Sequence, residues 1–151
     1  MTGELRIRAP REGDYERWFT LYEQYARDVQ SPIDRDIARN VWRWILDRTH
    51  PVEAIVAERN DDQLVGFAHF RRFPRTLDAN EACYLDDLFV HEGDRGTGTA
   101  RALIDEIVRI SGTRGWTHVR WVTGAGNHRA QRFYNKFAEK TDLITYRVDV
   151  R

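Results

Sequence analysis

The stretch that decides the fold is residues 84–100, which read YLDDLFVHEGDRGTGTA. The first seven residues are mostly apolar and predict a strand, the glycines predict a turn, and Thr99 with Ala100 predicts the start of a helix. The first amides of a helix have no internal partners, and the helix dipole adds positive potential there. Glycines let a phosphate approach the backbone closely, and Arg95 adds a positive charge. The stretch therefore has the composition of a pyrophosphate cradle.

Two other phosphate-binding motifs do not fit this turn. A nucleoside-triphosphate P-loop needs Lys and then Ser or Thr after its last glycine, whereas Gly98 is followed by Thr99 and Ala100. A dinucleotide fingerprint needs a glycine at its sixth position, where this chain has Arg101. Taken alone, the turn leaves one further interpretation open, a glycine-rich turn that binds no ligand.

Outward from this stretch, hydrophobic periodicity predicts the order β-α-α-β-β-β-α-β-α-β. We expect a mixed α/β fold in which a central twisted sheet is flanked by about four helices, within a single domain over residues 1–151. The predicted strands are Leu5–Ala9, Val52–Ala57, Leu64–Phe70, Ala82–Val90, Trp116–Thr123 and Leu143–Val150. The predicted helices begin near Asp14 and near Asp34, run from the glycine turn to Gly115, and cover Ala130–Phe137.

Composition narrows the classes of function. Lys plus Arg equals Asp plus Glu at 24 each, so the net charge gives no reason to expect a nucleic acid or an anionic membrane as partner. Cys83 is the only cysteine, and no apolar run at the start or elsewhere resembles a signal or membrane-spanning segment, so we expect a cytoplasmic protein. The five histidines lack zinc-ligand spacing, and we predict no metal.

Two motifs resemble those of the GCN5-related N-acetyltransferases, the GNAT superfamily. Residues 95–100, RGTGTA, match its Gln/Arg-x-x-Gly-x-Gly/Ala motif, and residues 127–136, NHRAQRFYNK, are similar to its Asn-x-x-Ala-x-x-Phe/Leu-Tyr-x-Lys signature. Residues 85–90, LDDLFV, resemble the corresponding strand of diamine acetyltransferases. The resemblance implies the GNAT fold and an N-acetyltransferase that moves an acetyl group from acetyl-CoA to a primary amine, with a small amine or diamine favoured, by direct transfer in a ternary complex.

The same resemblance implies where acetyl-CoA binds. The pantetheine arm is expected between the strands Leu85–Val90 and Trp116–Thr123, where it pairs with strand backbone, and the pyrophosphate is expected at the amides of the glycine turn. The implied cofactor-binding residues are Leu88, Phe89, Val90, Arg95, Gly96, Thr97, Gly98, Thr99, Ala100, Asn127 and Ala130.

For catalysis, the resemblance implies that Tyr134 protonates the leaving thiolate and that Asp86 accepts the proton of the amine. A second role for Asp86, binding the substrate ammonium, stays open, and Glu81 and Asp87 are reserves. Adjacent strand residues point to opposite faces unless a bulge intervenes, so only one of the two aspartates is expected to face the acceptor. The implied acceptor-binding residues are Tyr22, Tyr25 and Asp87.

Other interpretations remain beside this one. The chain fits a non-catalytic acyl-CoA-binding sensor or a protein-lysine acetyltransferase, and the resemblance implies a homodimer. We interpret Trp18 and the other tryptophans as packing residues. Arg71 with Arg72 could attract an acidic acceptor or solvate the end of a strand, and we favour solvation.

Overall fold

In a computed structural model, residues 3–60 and 62–151 are described. They divide into two compact units, Met1–Trp121 and Val122–Arg151. Within the described residues the chain forms five strands and four helices, which confirms the mixed α/β fold. The strands are β1 (Leu5–Arg8), β2 (Val52–Arg59), β3 (Gln63–Arg75), β4 (Asn80–Val90) and β5 (Val119–Arg120). The helices are α1 (Tyr15–Asp28), α2 (Arg35–Leu46), α3 (Thr99–Arg114) and, in the second unit, α4 (His128–Tyr134).

The first unit is built on a sheet with the strand order β1-β2-β3-β4-β5. Neighbouring strands run antiparallel from β1 to β4. Short connections join β2 to β3 and β3 to β4, whereas α1 and α2 lie between β1 and β2. The last pair, β4 and β5, is parallel because α3 forms the crossover between them. This arrangement places the end of β4 and the start of α3 next to each other along the chain.

The core of this unit is an aromatic cluster under α1 and α2. Trp18 and Phe19 on α1, Trp42 on α2, and Phe67 and Phe89 on the sheet are all less than 9% exposed. The apolar residues of α1 recur at helical spacing, so the helix lays one stripe on the sheet. Burial of each such side chain contributes about 1.5–3 kcal/mol to folding. The cluster therefore fixes the position of α1 against β3 and β4.

Asp14 precedes α1 as predicted, but its carboxylate does not cap the helix. It accepts hydrogen bonds from Arg8 at 2.8 Å, from Arg17 at 2.9 Å and from the amide of Arg11 at 2.8 Å. Arg8 also binds Glu58 on β2 at 2.9 Å. Asp14 is only 1% exposed, and these hydrogen bonds offset the free-energy cost of burying its carboxylate.

Two strand predictions were wrong in extent. The predicted strand Trp116–Thr123 is reduced to Val119–Arg120, and Leu143–Val150 forms no strand. Alternation of apolar and polar residues predicts a segment that could pair as a strand. A strand forms only when the backbone of a neighbouring strand hydrogen-bonds to it. The apolar side chains of 143–150 are between 76% and 96% exposed. Among the described residues, no helix is long and apolar enough to span a membrane.

Candidate active site

Beyond Tyr84, none of the described residues pairs as a strand with the outer edge of β4, where the predicted pantetheine arm would bind. Pairing with β5 ends at Tyr84 and Arg120, six residues before β4 itself ends. The amide of His91 donates to the carbonyl of Val65 on β3 at 2.7 Å. Because backbone direction alternates along a strand, the backbone groups of Leu88 and Val90 face away from β3. The carbonyl of Val90 accepts a hydrogen bond from Nε of Arg95 at 3.0 Å.

The turn between β4 and α3 depends on two glycines. Gly96 and Gly98 have φ values of +77° and +87°, in the left-handed region that side-chain-bearing residues avoid. The amide of Ala102 donates to the carbonyl of Gly98 at 3.0 Å. The amides of Thr99 and Ala100 precede this bond and lie at the open end of the helix. Such amides, beside open space at both glycines, suit a bound phosphate.

Charged groups surround this turn. The Arg95 side chain is 39% exposed and lies 3.6 Å from Asp28. Arg59 is buried behind the start of α3, where it donates to the Thr99 hydroxyl at 3.4 Å and pairs with Asp94 at 3.4 Å. The donor set of amides and guanidinium groups therefore fits the pyrophosphate of a coenzyme A thioester.

A β-bulge sits at the two aspartates of β4. His69 pairs with Asp87 and Phe70 with Leu85, so Asp86 has no partner on β3 and the alternation of faces is interrupted. Burial raises the pKa of Tyr22 to about 12, and the charges of Asp87 and Asp86 raise it in the same direction. Both carboxylates therefore act on one hydroxyl of α1. The bulge is the exception that this expectation allowed for, because it interrupts the alternation of faces at Asp86.

Asp86 is bound by an arginine that the sequence analysis interpreted as a solvating residue. Nε of Arg71 lies 3.0 Å from Oδ2 and 3.3 Å from Oδ1 of Asp86. Burial raises the pKa of Asp86, and the negative charge of Asp87 adds to that effect, while the charge and hydrogen bond of Arg71 oppose it. The pKa stays above its usual value, so Asp86 takes up a proton more readily than a solvated aspartate does.

Asp87 is bound by a histidine that the sequence analysis did not single out. Nδ1 of His69 lies 2.8 Å from Oδ2 of Asp87, and the indole Nε1 of Trp18 donates to Nε2 of His69 at 3.0 Å. No motif marks these residues, because the contact joins α1, β3 and β4 across 51 and 18 residues of chain. Tyr25, predicted to bind the acceptor, packs edge-on against Phe67 and Phe89.

In the second unit, Asn127 is the cap of α4. Its side-chain oxygen accepts from the amide of Ala130 at 3.1 Å, which leaves its NH₂ group as the donor for a ligand. Tyr134 is the last residue of α4 and is half-buried beside Phe133 and Phe137. Burial raises the pKa of Tyr134, so the phenol keeps its proton at neutral pH.

Within residues 3–60 and 62–151, the structure supports neither a metal site nor a cysteine nucleophile. No group of three His, Cys, Asp or Glu side chains in that part of the chain could hold a metal ion. Cys83 is fully buried, and burial raises the pKa of its thiol to about 11. Since the thiolate is the nucleophilic form, Cys83 is a packing residue.

Known proteins resemble this chain in both sequence and fold. The model of the acetyltransferase (GNAT) family matches residues 15–138. A D-amino-acid N-acetyltransferase of Saccharomyces cerevisiae is 30% identical over 142 residues, which cover 93% of this chain and 88% of that protein. A ribosomal-protein-alanine N-acetyltransferase from Brucella melitensis biovar Abortus is 25% identical with a TM-score of 0.81, over 97% of this chain and 99% of that one. An aminoglycoside N-acetyltransferase in complex with CoA shares the fold, with a TM-score of 0.84 at 20% identity, over 99% of this chain and 96% of that one.

Proposed function

This chain belongs to the acetyltransferase (GNAT) family and is an N-acetyltransferase, and on that premise we propose that it acetylates the primary amine of a small molecule. The acetyl group comes from acetyl-CoA and passes directly to the amine in a ternary complex. The observation that carries the proposal is the pair Asp86 and Asp87 at the bulge of β4, both acting on Tyr22. Two carboxylates at one place favour a cationic acceptor.

The proposed donor site is the segment from Leu88 to Ala100. Backbone groups of Leu88 and Val90 pair with the pantetheine arm, and the amides at the start of α3 bind the pyrophosphate together with Arg95. Support comes from the open edge of β4, the two left-handed glycines and the solved relative that holds CoA. The family match spans both compact units, which supports one catalytic domain over the chain.

The proposed reaction begins with a proton transfer. An alkyl ammonium has a pKa near ~10.4 and must lose a proton before its nitrogen can attack. Asp86, with its raised pKa, accepts that proton directly or through water. The nitrogen then bonds to the thioester carbon, the C–S bond breaks, and the sulfur leaves with the electron pair. Tyr134, whose raised pKa keeps its phenol protonated, donates its proton to that thiolate. The phenolate then takes up the second proton, which the nitrogen releases as the amide forms, and Asp86 returns its own proton to solvent.

A second acceptor class, the amino acids, is favoured by one observation. Arg71 lies beside Asp86 with its guanidinium partly exposed, so a cation stands next to the two carboxylates. An amino acid carries both an ammonium and a carboxylate and could meet both charges. The similar yeast protein is a D-amino-acid N-acetyltransferase. A diamine offers two ammonium groups and no carboxylate, so the two classes are separable by assay.

The test is release of CoA thiol from acetyl-CoA in the presence of single amines, with the acetylated product identified by mass spectrometry. The panel contains diamines, D- and L-amino acids, an aminoglycoside and a lysine peptide. Amine-dependent release with a small molecule supports the proposal. Transfer only to the peptide favours a protein acetyltransferase, and tight acetyl-CoA binding without transfer to any amine favours a sensor; either result contradicts it.

We also propose a homodimer, formed through the tail 144–150. In that segment Ile144, Tyr146, Val148 and Val150 alternate with polar residues and are highly exposed. Two antiparallel copies centred on Val148 place Arg147 opposite Asp149 of the partner subunit on both sides of the centre, in exchange for the bond from Arg147 to Asp149 within each chain. This charge match favours a second copy as the occupant. Light scattering should report a dimer that Val148→Asp converts to a monomer; a wild-type monomer at micromolar concentration would contradict it.

A further inference from the structure

A chain of three side chains runs from the core to the acid pair. The indole Nε1 of Trp18 on α1 lies 3.0 Å from Nε2 of His69 on β3, and Nδ1 of His69 lies 2.8 Å from Oδ2 of Asp87 on β4. Trp18 is fully buried, the His69 side chain is 2% exposed and that of Asp87 is 23% exposed. The chain therefore starts in the dry core and ends on a carboxylate that solvent or substrate can reach.

The direction of each hydrogen bond follows from the chemistry of the indole. Indole N–H can only donate, so Nε2 of His69 must accept and carries no proton. The single proton of the neutral ring is then on Nδ1, which donates it to Asp87. Oδ2 of Asp87 accepts this bond. The arrangement fixes the tautomer of the ring and the orientation of the carboxylate together.

Both ring nitrogens of His69 are engaged. Facing the ring are Asp87 and Asp86 on β4 and Tyr22 on α1, with Arg71 of β3 bonded to Asp86, and Ala54 of β2 pairs with His69 in the sheet. Asp87 is bonded to Nδ1 and the indole of Trp18 to Nε2. Protonation at Nε2 would require Trp18 to give up its hydrogen bond.

We propose that Trp18 and His69 are positioning residues that hold the carboxylate of Asp87 in place for the ammonium group of the acceptor amine. This inference rests on the proposed function. The neutral imidazole orients Asp87 without cancelling its charge, whereas the guanidinium of Arg71 balances the charge of Asp86. The two aspartates therefore have different roles. Asp87 binds the ammonium group, and Asp86 accepts its proton.

Trp18→Phe tests this assignment because it removes the indole N–H and keeps an aromatic ring. Nε2 of His69 then loses its donor, so the ring and the Asp87 carboxylate bonded to it are no longer held in one orientation. We expect the KM of the amine to rise about tenfold relative to wild type. Acetyl-CoA affinity, measured by calorimetry, should stay unchanged.

Two further variants separate positioning from packing. Trp42→Phe makes the same change in a neighbouring ring, 4.7 Å from Trp18, that does not bond His69, so the KM should stay near the wild-type value. His69→Asn keeps a donor near the place of Nδ1 and removes the acceptor of the indole N–H. In the His69→Asn background, Trp18→Phe should produce no further rise in KM. An equal rise in KM in Trp42→Phe, or a further rise in the double variant, would overturn the proposal.

Nitrogen NMR of His69 tests the chain of bonds without any activity measurement. In the wild-type protein we expect the ring proton on Nδ1 and none on Nε2, and in Trp18→Phe we expect Nε2 to carry a proton in part of the molecules. A proton on Nε2 in the wild-type protein would overturn the inference even if acetyl transfer is confirmed. If no amine is acetylated but the NMR result holds, the proposed function has failed and the positioning geometry has not.

Discussion

Nε of Arg71 donates to Asp86, 3.0 Å from Oδ2 and 3.3 Å from Oδ1. This contact opposes the effect of burial, which raises the pKa of the same carboxyl. At the bulge, Asp86 has no partner residue on β3. Its side chain is held by the guanidinium group of Arg71. The pair therefore sets the pH at which the proposed proton acceptor is charged.

Arg71→Gln should move the acid limb of the kcat/KM profile to higher pH. Removing the cation raises the pKa of Asp86 further, so the carboxyl stays protonated, and unable to accept a proton, up to a higher pH. The measurement is kcat/KM for the amine from pH 5 to 10. Arg72→Gln is the matched control, since Arg72 binds Glu81 at 3.3 Å instead. If the acid limb lies at the same pH in Arg71→Gln and in the wild type, Asp86 is not the group that accepts the proton.

Tyr134→Phe should lower kcat by about 10²–10⁴-fold, the usual contribution of a positioned general acid. The affinity for acetyl-CoA should be unchanged, because the substitution removes only the phenolic hydroxyl. Single-turnover kinetics and calorimetry measure the two quantities separately. Tyr146→Phe, the same change at a tyrosine that is 91% exposed, is the control. Unchanged turnover in Tyr134→Phe would exclude the proposed role.

Gly98→Ala should weaken acetyl-CoA binding through the backbone. The space at this position is open, but the φ of +87° costs a residue with a Cβ about 1–2 kcal/mol, and relaxing that strain moves the amides of the turn. Gly112→Ala is the control within α3, where added Cβ atoms also meet open space and alanine is the better helix former. Equal acetyl-CoA affinity in both variants would contradict a phosphate site at this turn.

Asp14→Asn should destabilise the fold by about 3 kcal/mol at pH 7, because it leaves Arg8 buried without its main partner. Burial alone would raise the pKa of Asp14, but the bonds from Arg8 and the amide of Arg11 outweigh it and lower the pKa. A lowered pKa stabilises the fold above the unfolded value near ~3.9 and loses that effect as the pH falls through the folded value.

Urea denaturation of wild type and Asp14→Asn should therefore give free energies of unfolding that differ most at neutral pH and converge below about pH 4. Asp78→Asn, at an exposed pair with Arg75, should change stability by less than about 1 kcal/mol. A constant difference between wild type and Asp14→Asn at every pH would show that packing, rather than charge, explains the loss.

The sequence predicts this fold well where periodicity and turn residues agree. The apolar stripe of α1, the hairpin of β2 and β3, and the glycine turn before α3 all depend on neighbouring residues, so local patterns reveal them. The tail 143–150 has an equally clear strand pattern, yet its strand is absent, because the neighbour that a strand needs is not encoded in its own residues.

The candidate site was predictable only in part, for the same reason. Asp86 and Asp87 were found by resemblance, but the bulge between them arises from the register of β3 against β4. Arg71 and His69 come from the facing strand, and Trp18 comes from a helix 51 residues earlier than His69. Nothing local distinguishes Trp18 from the tryptophans that only pack, so its hydrogen bond to His69 required the structure.

The central claim is direct acetyl transfer to a small amine, and a single-turnover experiment with isotopically labelled acetyl-CoA tests it. The intact mass of the protein is recorded before and after addition of each amine, together with the free thiol and the acetylated product. The account predicts an unmodified protein throughout, and one thiol released for each acetylated small molecule formed. An acetyl group on the protein before the amine is added, or no product from any small amine, would contradict it.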